Sequence, residues 1–325
     1  LKKSNGFCCY SGVYKQQESV IAESEIVRIE LVPALGGKWV SLIHKPSGKE
    51  WLLDSGDRPL KQPVYGSAFT DWDMSGWDEC FPTINPCVAE LDNDRIQLPD
   101  HGELWSLPWS IKCMDNAIEC SVVSPNMPYR LKRRISFSAP DCVNLEYSVQ
   151  NLSAFMLHFL WVPHPQFAVS EPTRILLPPE VDKMLCVFGF DKFKAGESYA
   201  AQRMSLVSPE KTGAGSKFYY PGYSTAGWSG LHGQVSDCYL ILSVSPDEVP
   251  FLGVWIDEGM FNDRVTCALE PGIGYYDSLE TAVRNGTAQY VPPNDSFAWQ
   301  MKLWLGRGNW EDSLPAILSQ EHSVI

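Results

Sequence analysis

A chain of 325 residues with 44% hydrophobic and 20% charged residues has the composition of a folded globular protein, long enough to bury a substantial core. Its formal net charge of −13 repels phosphate backbones and anionic lipid head groups, which sets nucleic acid and membranes aside as partners, and no apolar run is long enough for a membrane-spanning helix. Ten scattered cysteines with no C-x-x-C pair read as buried reduced thiols of a cytoplasmic protein rather than as a disulfide scaffold, and the opening Leu1-Lys2-Lys3-Ser4 lacks the apolar stretch of a secretory leader.

The predicted elements are almost all strands. Ile26 to Leu31 and Trp39 to Ile43 come first, divided by Gly36-Gly37, and Pro46-Ser47-Gly48-Lys49 turns the second into a short Trp51-Leu52-Leu53 run. Ile118 to Val123 follows. The basic cluster Lys132-Arg133-Arg134 reads as the solvated face of a strand. Val143, Leu145, Tyr147 and Val149 then alternate with Asn144, Glu146, Ser148 and Gln150, the period of a half-buried strand. Met156 to Val162, Tyr239 to Val244 and Phe251 to Ile256 are further strands, and Ser208 to Ser216 is a surface loop. Pro292-Pro293-Asn294-Asp295 precedes a last strand in which Phe297, Trp299, Met301, Leu303 and Leu305 alternate with Ala298, Gln300 and Lys302. A short helix is predicted from Trp310 to Leu318, with Asn309 as its N-cap. About 20 strands with so little helix cannot stay one open sheet. The expected fold is therefore all-β, a large antiparallel sandwich with few short helices, forming one domain over residues 1–325.

Four segments concentrate chemistry. Asp71-Trp72-Asp73-Met74-Ser75-Gly76-Trp77-Asp78-Glu79 offers indole faces that stack on a pyranose and carboxylates that accept hydrogen bonds from its hydroxyls. Trp77, Asp78 and Glu79 are thus candidate sugar contacts. A solvated loop and a calcium loop are the alternatives, although the spacing of an EF-hand is missing. Asp100-His101-Gly102-Glu103-Leu104-Trp105 sets His101 on a turn, with Glu103 and Trp105 as neighbours able to meet a sugar. Pro163-His164-Pro165 pins an imidazole, a group that titrates near neutral pH, at the end of a strand. Leu269-Glu270-Pro271-Gly272 ends an apolar run with a carboxylate that is either a turn residue or a base in a groove. The six histidines, at positions 44, 101, 158, 164, 232 and 322, show no metal-ligand spacing. Neither a phosphate-binding glycine loop nor a serine-hydrolase elbow occurs.

Taken in order, these segments resemble the aldose 1-epimerase (galactose mutarotase-like) superfamily. Gly76-Trp77-Asp78-Glu79-Cys80-Phe81-Pro82 is similar to its glycine-initiated segment ending in an aromatic residue and Pro. Asp100-His101-Gly102 with Pro108-Trp109 is similar to its His-Gly…Trp motif, and His164-Pro165-Gln166-Phe167 to its His-Pro-Tyr-Phe motif. Leu269-Glu270-Pro271 is similar to the late strand that carries its catalytic Glu. The resemblance implies a β-supersandwich and an enzyme that interconverts α and β anomers of a sugar. In it Glu270 would be the general base at the anomeric hydroxyl and His164 the general acid at the ring oxygen. His101 would hydrogen-bond the sugar near that oxygen, and Asp257 would bind the substrate. No cofactor is implied, because the opened sugar is itself the aldehyde intermediate; the partner is a small-molecule sugar, and the protein a monomer or homodimer.

Where the family places an Arg near the glycine-initiated segment and another after His-Gly, this chain has Met74-Ser75 and Trp105-Ser106, and Gln166 replaces the Tyr. A cation-poor groove and a non-phosphorylated sugar are therefore expected. Burial beside Trp is expected to raise the pKa of Glu270 toward working pH. A lyase and a non-catalytic sugar-binding protein on the same fold are the alternatives.

Overall fold

Alternating apolar positions cover strands on the faces they bury, and here they assemble 26 strands into sheets, with two short α-helices, in a computed structural model that describes residues 7–319. The Leu1 to Ser4 segment and His322 lie outside the described residues. A seven-stranded sheet runs in chain order from Cys8–Tyr14 through Lys38–His44 to Trp77–Cys80 and closes on Val162–Pro165. A nine-stranded sheet has Ser296–Arg307 at its centre, with Cys142–Asn151 and then Tyr129–Ala139 beside it. A six-stranded sheet orders Phe167–Ala168, Thr266–Gly272, Phe251–Asp257, Gly215–Tyr219, Lys183–Phe190 and Ser198–Ala200. All the strand pairings within these sheets are antiparallel, and one hydrophobic cluster takes residues from all three, among them Trp39, Trp77, Leu145, Trp299 and Leu269. This is the large antiparallel β-sandwich that the alternation predicts.

The strand boundaries move by one or two residues from the expected ones, with three exceptions: the Met156 to Val162 run is broken into Leu157–Phe159 and Val162–Pro165, the Trp51 to Leu53 run forms only an isolated bridge at Leu52 after strand Lys49–Glu50, and Gly215 and Ser216, expected in a surface loop, begin the buried strand Gly215–Tyr219. Helix Trp310–Ser319 forms as expected, and the Asn309 side-chain oxygen accepts the Glu311 amide at 3.2 Å. Helix Leu279–Asn285 was not expected. Ser278 caps it and Gly286 ends it at φ 69°.

Two expectations are corrected. The Lys132-Arg133-Arg134 cluster is not uniformly solvated, because alternation along Tyr129–Ala139 turns Arg133 inward while Lys132 points out. The thiols are not all reduced: Cys9 and Cys113 form a disulfide that ties strand Cys8–Tyr14 to strand Ser110–Cys113. Their Cα atoms are 6.0 Å apart although they are separated by 104 positions, a proximity that spacing alone does not reveal. The other eight cysteines form no disulfide. Among the described residues no helix is long and apolar enough to cross a membrane.

Candidate active site

His164 sits where the chain leaves one sheet for another. Strand Val162–Pro165 is the last strand of the seven-stranded sheet, and proline, which has no N–H to give a ladder, is tolerated at such an edge. After Gln166 alone, strand Phe167–Ala168 begins the six-stranded sheet and pairs with Thr266–Gly272. This switch brings His164 onto Glu270, with Nδ1 3.1 Å from Oε1. In the neighbouring strand Gly253 faces Glu270, and a Cβ there would lie 3.2 Å from Oε2, so the glycine leaves the carboxylate its space.

Two strands further along the same sheet, Lys217 reaches the other oxygen of Glu270 at 2.8 Å and Asp277 at 3.1 Å. Asp277 also accepts the Tyr219 hydroxyl at 2.6 Å. His101 approaches from the opposite side on a left-handed turn, at φ 57°, followed by Gly102 at φ 72°. Its Nδ1 is 2.9 Å from Asp100, whose second oxygen accepts the Phe69 amide at 2.8 Å. The His101 ring stacks on Phe69 at 4.3 Å, and its centroid is 4.9 Å from that of His164.

These groups line one cavity of about 350 Å³, a size that suits a small ligand. His101, His164, Gln166, Lys217, Glu270 and Asp277 supply its polar side. Phe188, Trp255 and Phe261, whose rings lie within 6.0 Å of one another, supply an aromatic wall.

The charges form a chain. Burial alone would raise the Glu270 carboxyl, but the Lys217 ammonium and the His164 contact outweigh it and hold the pKa at about 2. The expectation that burial would lift this group toward neutrality is therefore overturned by a cation. Burial would likewise lower Lys217, but Asp277 and Glu270 drive its pKa well above the ordinary lysine value. Burial lowers His164 to about 4, helped by His101 and Lys217 and opposed by Glu270. An ionised carboxylate only accepts hydrogen bonds, so Nδ1 of His164 carries the proton of a neutral imidazole. Its Nε2 then accepts from the Gln166 amide at 2.8 Å, while Gln166 Oε1 accepts the Thr266 hydroxyl at 3.0 Å.

The remaining sequence candidates do not meet at this cavity, with one exception. Asp78 is 2% exposed beside Lys38 at 3.1 Å, and burial raises its pKa to about 7. Glu79 is spent on Arg133 at 2.8 Å, the Tyr147 hydroxyl at 2.9 Å and the Trp161 indole N–H at 2.9 Å. Trp77 packs in the core on Trp39, 5.1 Å away. Glu103 is buried and accepts the hydroxyls of Tyr65 and Ser124. Trp105 is buried against Phe69 and Met74 and donates its indole N–H to the Asp100 carbonyl, bracing the His101 turn from behind. Burial is the common reason: these side chains hold sheets and turns together and leave no face for a sugar. Asp257, the exception, lines the cavity, but its two oxygens accept the amides of Gly259, Met260, Phe261 and Asn262. It shapes the loop that carries Phe261 and does not offer a free acceptor.

Sequence reading missed Lys217 and Asp277. A lone Lys between Ser216 and Phe218 in a strand is a usable signal, because a lysine there must either point to solvent or find a buried partner.

No known family model matches the sequence, and no curated protein matches it. Solved structures do. On a candidate aldose 1-epimerase from Klebsiella pneumoniae subsp. pneumoniae the chain superposes with a TM-score of 0.72, covering 98% of this chain and 88% of that one at 14% identity. A galactose mutarotase-like protein from Lactobacillus casei gives 0.68 over 89% and 100% of the two chains at 15% identity. Another from Clostridium acetobutylicum gives 0.67 over 94% and 100% at 17%. The chain has the galactose mutarotase-like fold, and at these identities the fold is what the likeness establishes.

Proposed function

We propose that this protein is an aldose 1-epimerase, acting as one domain on the anomers of a non-phosphorylated sugar. The observation that carries the reading is the contact between His164 and Glu270, 106 positions apart in the chain and both in the lining of one cavity. In the proposed reaction the Glu270 carboxylate takes the proton of the anomeric hydroxyl while an imidazole protonates the ring oxygen. The bond from C1 to the ring oxygen breaks, its electron pair leaves with that oxygen, and C1 becomes an aldehyde. Rotation about C1–C2 and closure from the other face invert the centre, and the reverse proton transfers restore the protein.

Lys217 keeps Glu270 ionised and available as an acceptor, although it lowers the basicity, so alignment must supply much of the rate. His164 is neutral in the free protein, so in the proposed reaction its Nε2 first takes a proton from solvent, gives it to the ring oxygen and recovers it when the ring closes. His101, braced by ionised Asp100, is the second imidazole at the same point.

The substrate class follows from charge. Lys217 corrects the expectation of a cation-poor groove, but its ammonium is already held by two carboxylates. With Glu270, Asp277 and Lys217 together the site is net negative, which disfavours a phosphorylated sugar and equally the carboxylate that a lyase must neutralise.

The test is anomer exchange followed by NMR on fresh α-anomers of a panel of sugars, with the spontaneous rate subtracted. Glu270→Gln and His164→Ala should each slow exchange at least about 100-fold, measured per folded molecule at a temperature well below the variant's melting transition. Full activity in either variant rejects that residue's role. Sugar binding by a wild type that exchanges no anomer would favour a non-catalytic sugar-binding protein instead.

A further inference from the structure

We infer that Cys80, His101 and His164 form a site for a borderline-soft divalent ion of the zinc class at the polar end of the cavity. The histidines show no ligand spacing in sequence, and strand register brings them together. Strand Trp77–Cys80 pairs antiparallel with Val162–Pro165, placing Cys80 opposite Val162 and making Cys80 and His164 diagonal neighbours on one face. A bridge between Phe81 and Gly102 sets His101 against the same strand end. As a result the Cys80 Sγ and one ring nitrogen from each imidazole lie within 4.8 Å of one another.

Two further features distinguish this from a chance cluster. Each imidazole is backed at Nδ1 by a carboxylate, His101 by Asp100 at 2.9 Å and His164 by Glu270 at 3.1 Å. That is the outer-shell arrangement that orients a ligating histidine and leaves Nε2 for the metal. Both carboxylates are themselves held, by the Phe69 amide and by Lys217. Second, Cys80 is a free thiol, 1% exposed, with its Sγ within 4.8 Å of a ring nitrogen of each imidazole. A small apolar residue would fill that space equally well, but only a cysteine adds a soft ligand. One sulfur and two nitrogens suit zinc rather than a hard cation, and the cavity leaves a fourth position open.

Tetrahedral zinc with bonds of about 2.0–2.3 Å needs its ligand atoms about 3.3–3.7 Å apart, so the side chains must close by about 1 Å. Gln166 must also release Nε2 of His164, and the thiol proton must leave on binding. Such an ion would occupy the two imidazoles that the proposed sugar reaction uses, so ion and sugar would exclude each other.

The metal test reads ligand-to-metal absorption and does not depend on the sugar reaction. Metal-stripped protein with the Cys9–Cys113 disulfide intact, titrated with Co²⁺, should bind one equivalent, develop thiolate-to-cobalt charge-transfer absorption and tetrahedral cobalt bands, and lose both to added Zn²⁺. Cys80→Ser should lose the charge-transfer absorption and weaken zinc binding at least about tenfold. His101→Gln, on a surface turn, should weaken it similarly with an unchanged melting profile, which guards against misfolding of the buried Cys80 variant. Absence of thiolate absorption in the wild type, or zinc binding that neither substitution alters, overturns the inference.

Discussion

Lys217 shows how one buried cation resets the chemistry of its neighbours. Its ammonium lies 2.8 Å from Glu270 and 3.1 Å from Asp277, and its side chain is 9% exposed. Removing one member of such a pair leaves a buried charge uncompensated, which typically costs about 3–5 kcal/mol. Lys217→Met should therefore destabilise the protein by about that much at neutral pH. The pH dependence has a defined sign. The folded Glu270 pKa of about 2 lies below the ordinary 4.5, so its contribution to stability is complete above pH 4.5 and is lost as the pH falls toward 2. Without the ammonium, burial raises the same carboxyl above its ordinary value, and the variant then gains relative stability on protonation. The gap between wild type and Lys217→Met should narrow from pH 8 to pH 4 in urea denaturation. An equal gap at both pH values would show that the ammonium does not act through the carboxylate. At this scale His164, His101 and Glu270 were legible because prolines and glycines mark them, whereas Lys217 was not, because its partners lie far away in the chain.

The turn from Asp100 to Gly102 and the sheet switch after Pro165 are the elements that aim the imidazoles. Gly102 has φ 72°, and a Cβ there would lie 2.1 Å from the Phe81 carbonyl oxygen, through whose strand Cys80 and His101 are held together. Gly48 has nearly the same φ, 71°, with nothing within 4 Å of its would-be Cβ. The two glycines therefore separate backbone strain from collision. Gly48→Ala should cost about 1 kcal/mol and leave anomer exchange intact. Gly102→Ala should cost clearly more and slow exchange, because the turn must move away from Phe81. Equal stability losses with equal exchange rates would remove the packing argument for this turn. Long core strands such as Cys142–Asn151 and Ser296–Arg307 were legible from their period of two, and helix Trp310–Ser319 from its cap, whereas short strands such as Asp94–Leu98 and Thr173–Leu176 hold too few residues for a period to show. Helix Leu279–Asn285 was not, since seven residues span barely two turns and give too short a stretch for a helical period to stand out, even with Ser278 and Gly286 as its end signals.

Across the whole molecule, the acidic Asp73 to Glu79 stretch is a seam between sheets rather than a sugar-facing surface. Asp73 and Asp78 close on Lys38, 35 positions from Asp73, and Glu79 closes on Arg133, 54 positions away. Composition alone does not distinguish a carboxylate that meets a ligand from one that meets a distant buried cation, and this is why the whole stretch read as a binding surface. The Arg133 pair links strand Trp77–Cys80 of the seven-stranded sheet to strand Tyr129–Ala139 of the nine-stranded one. Arg133 also donates to the Gly37 carbonyl at 2.6 Å and lies over Trp109 at 4.8 Å. Because Glu79 is 1% exposed, Arg133→Met strands a charge between the sheets and should cost about 3–5 kcal/mol in urea denaturation. Glu79→Gln/Arg133→Met removes both charges but keeps an acceptor for Tyr147 and Trp161, so the double variant should recover at least half of that loss. If the double variant is no more stable than Arg133→Met alone, the penalty comes from the packing and hydrogen bonds of the guanidinium rather than from the unpaired carboxylate, and the seam is held by shape instead of charge.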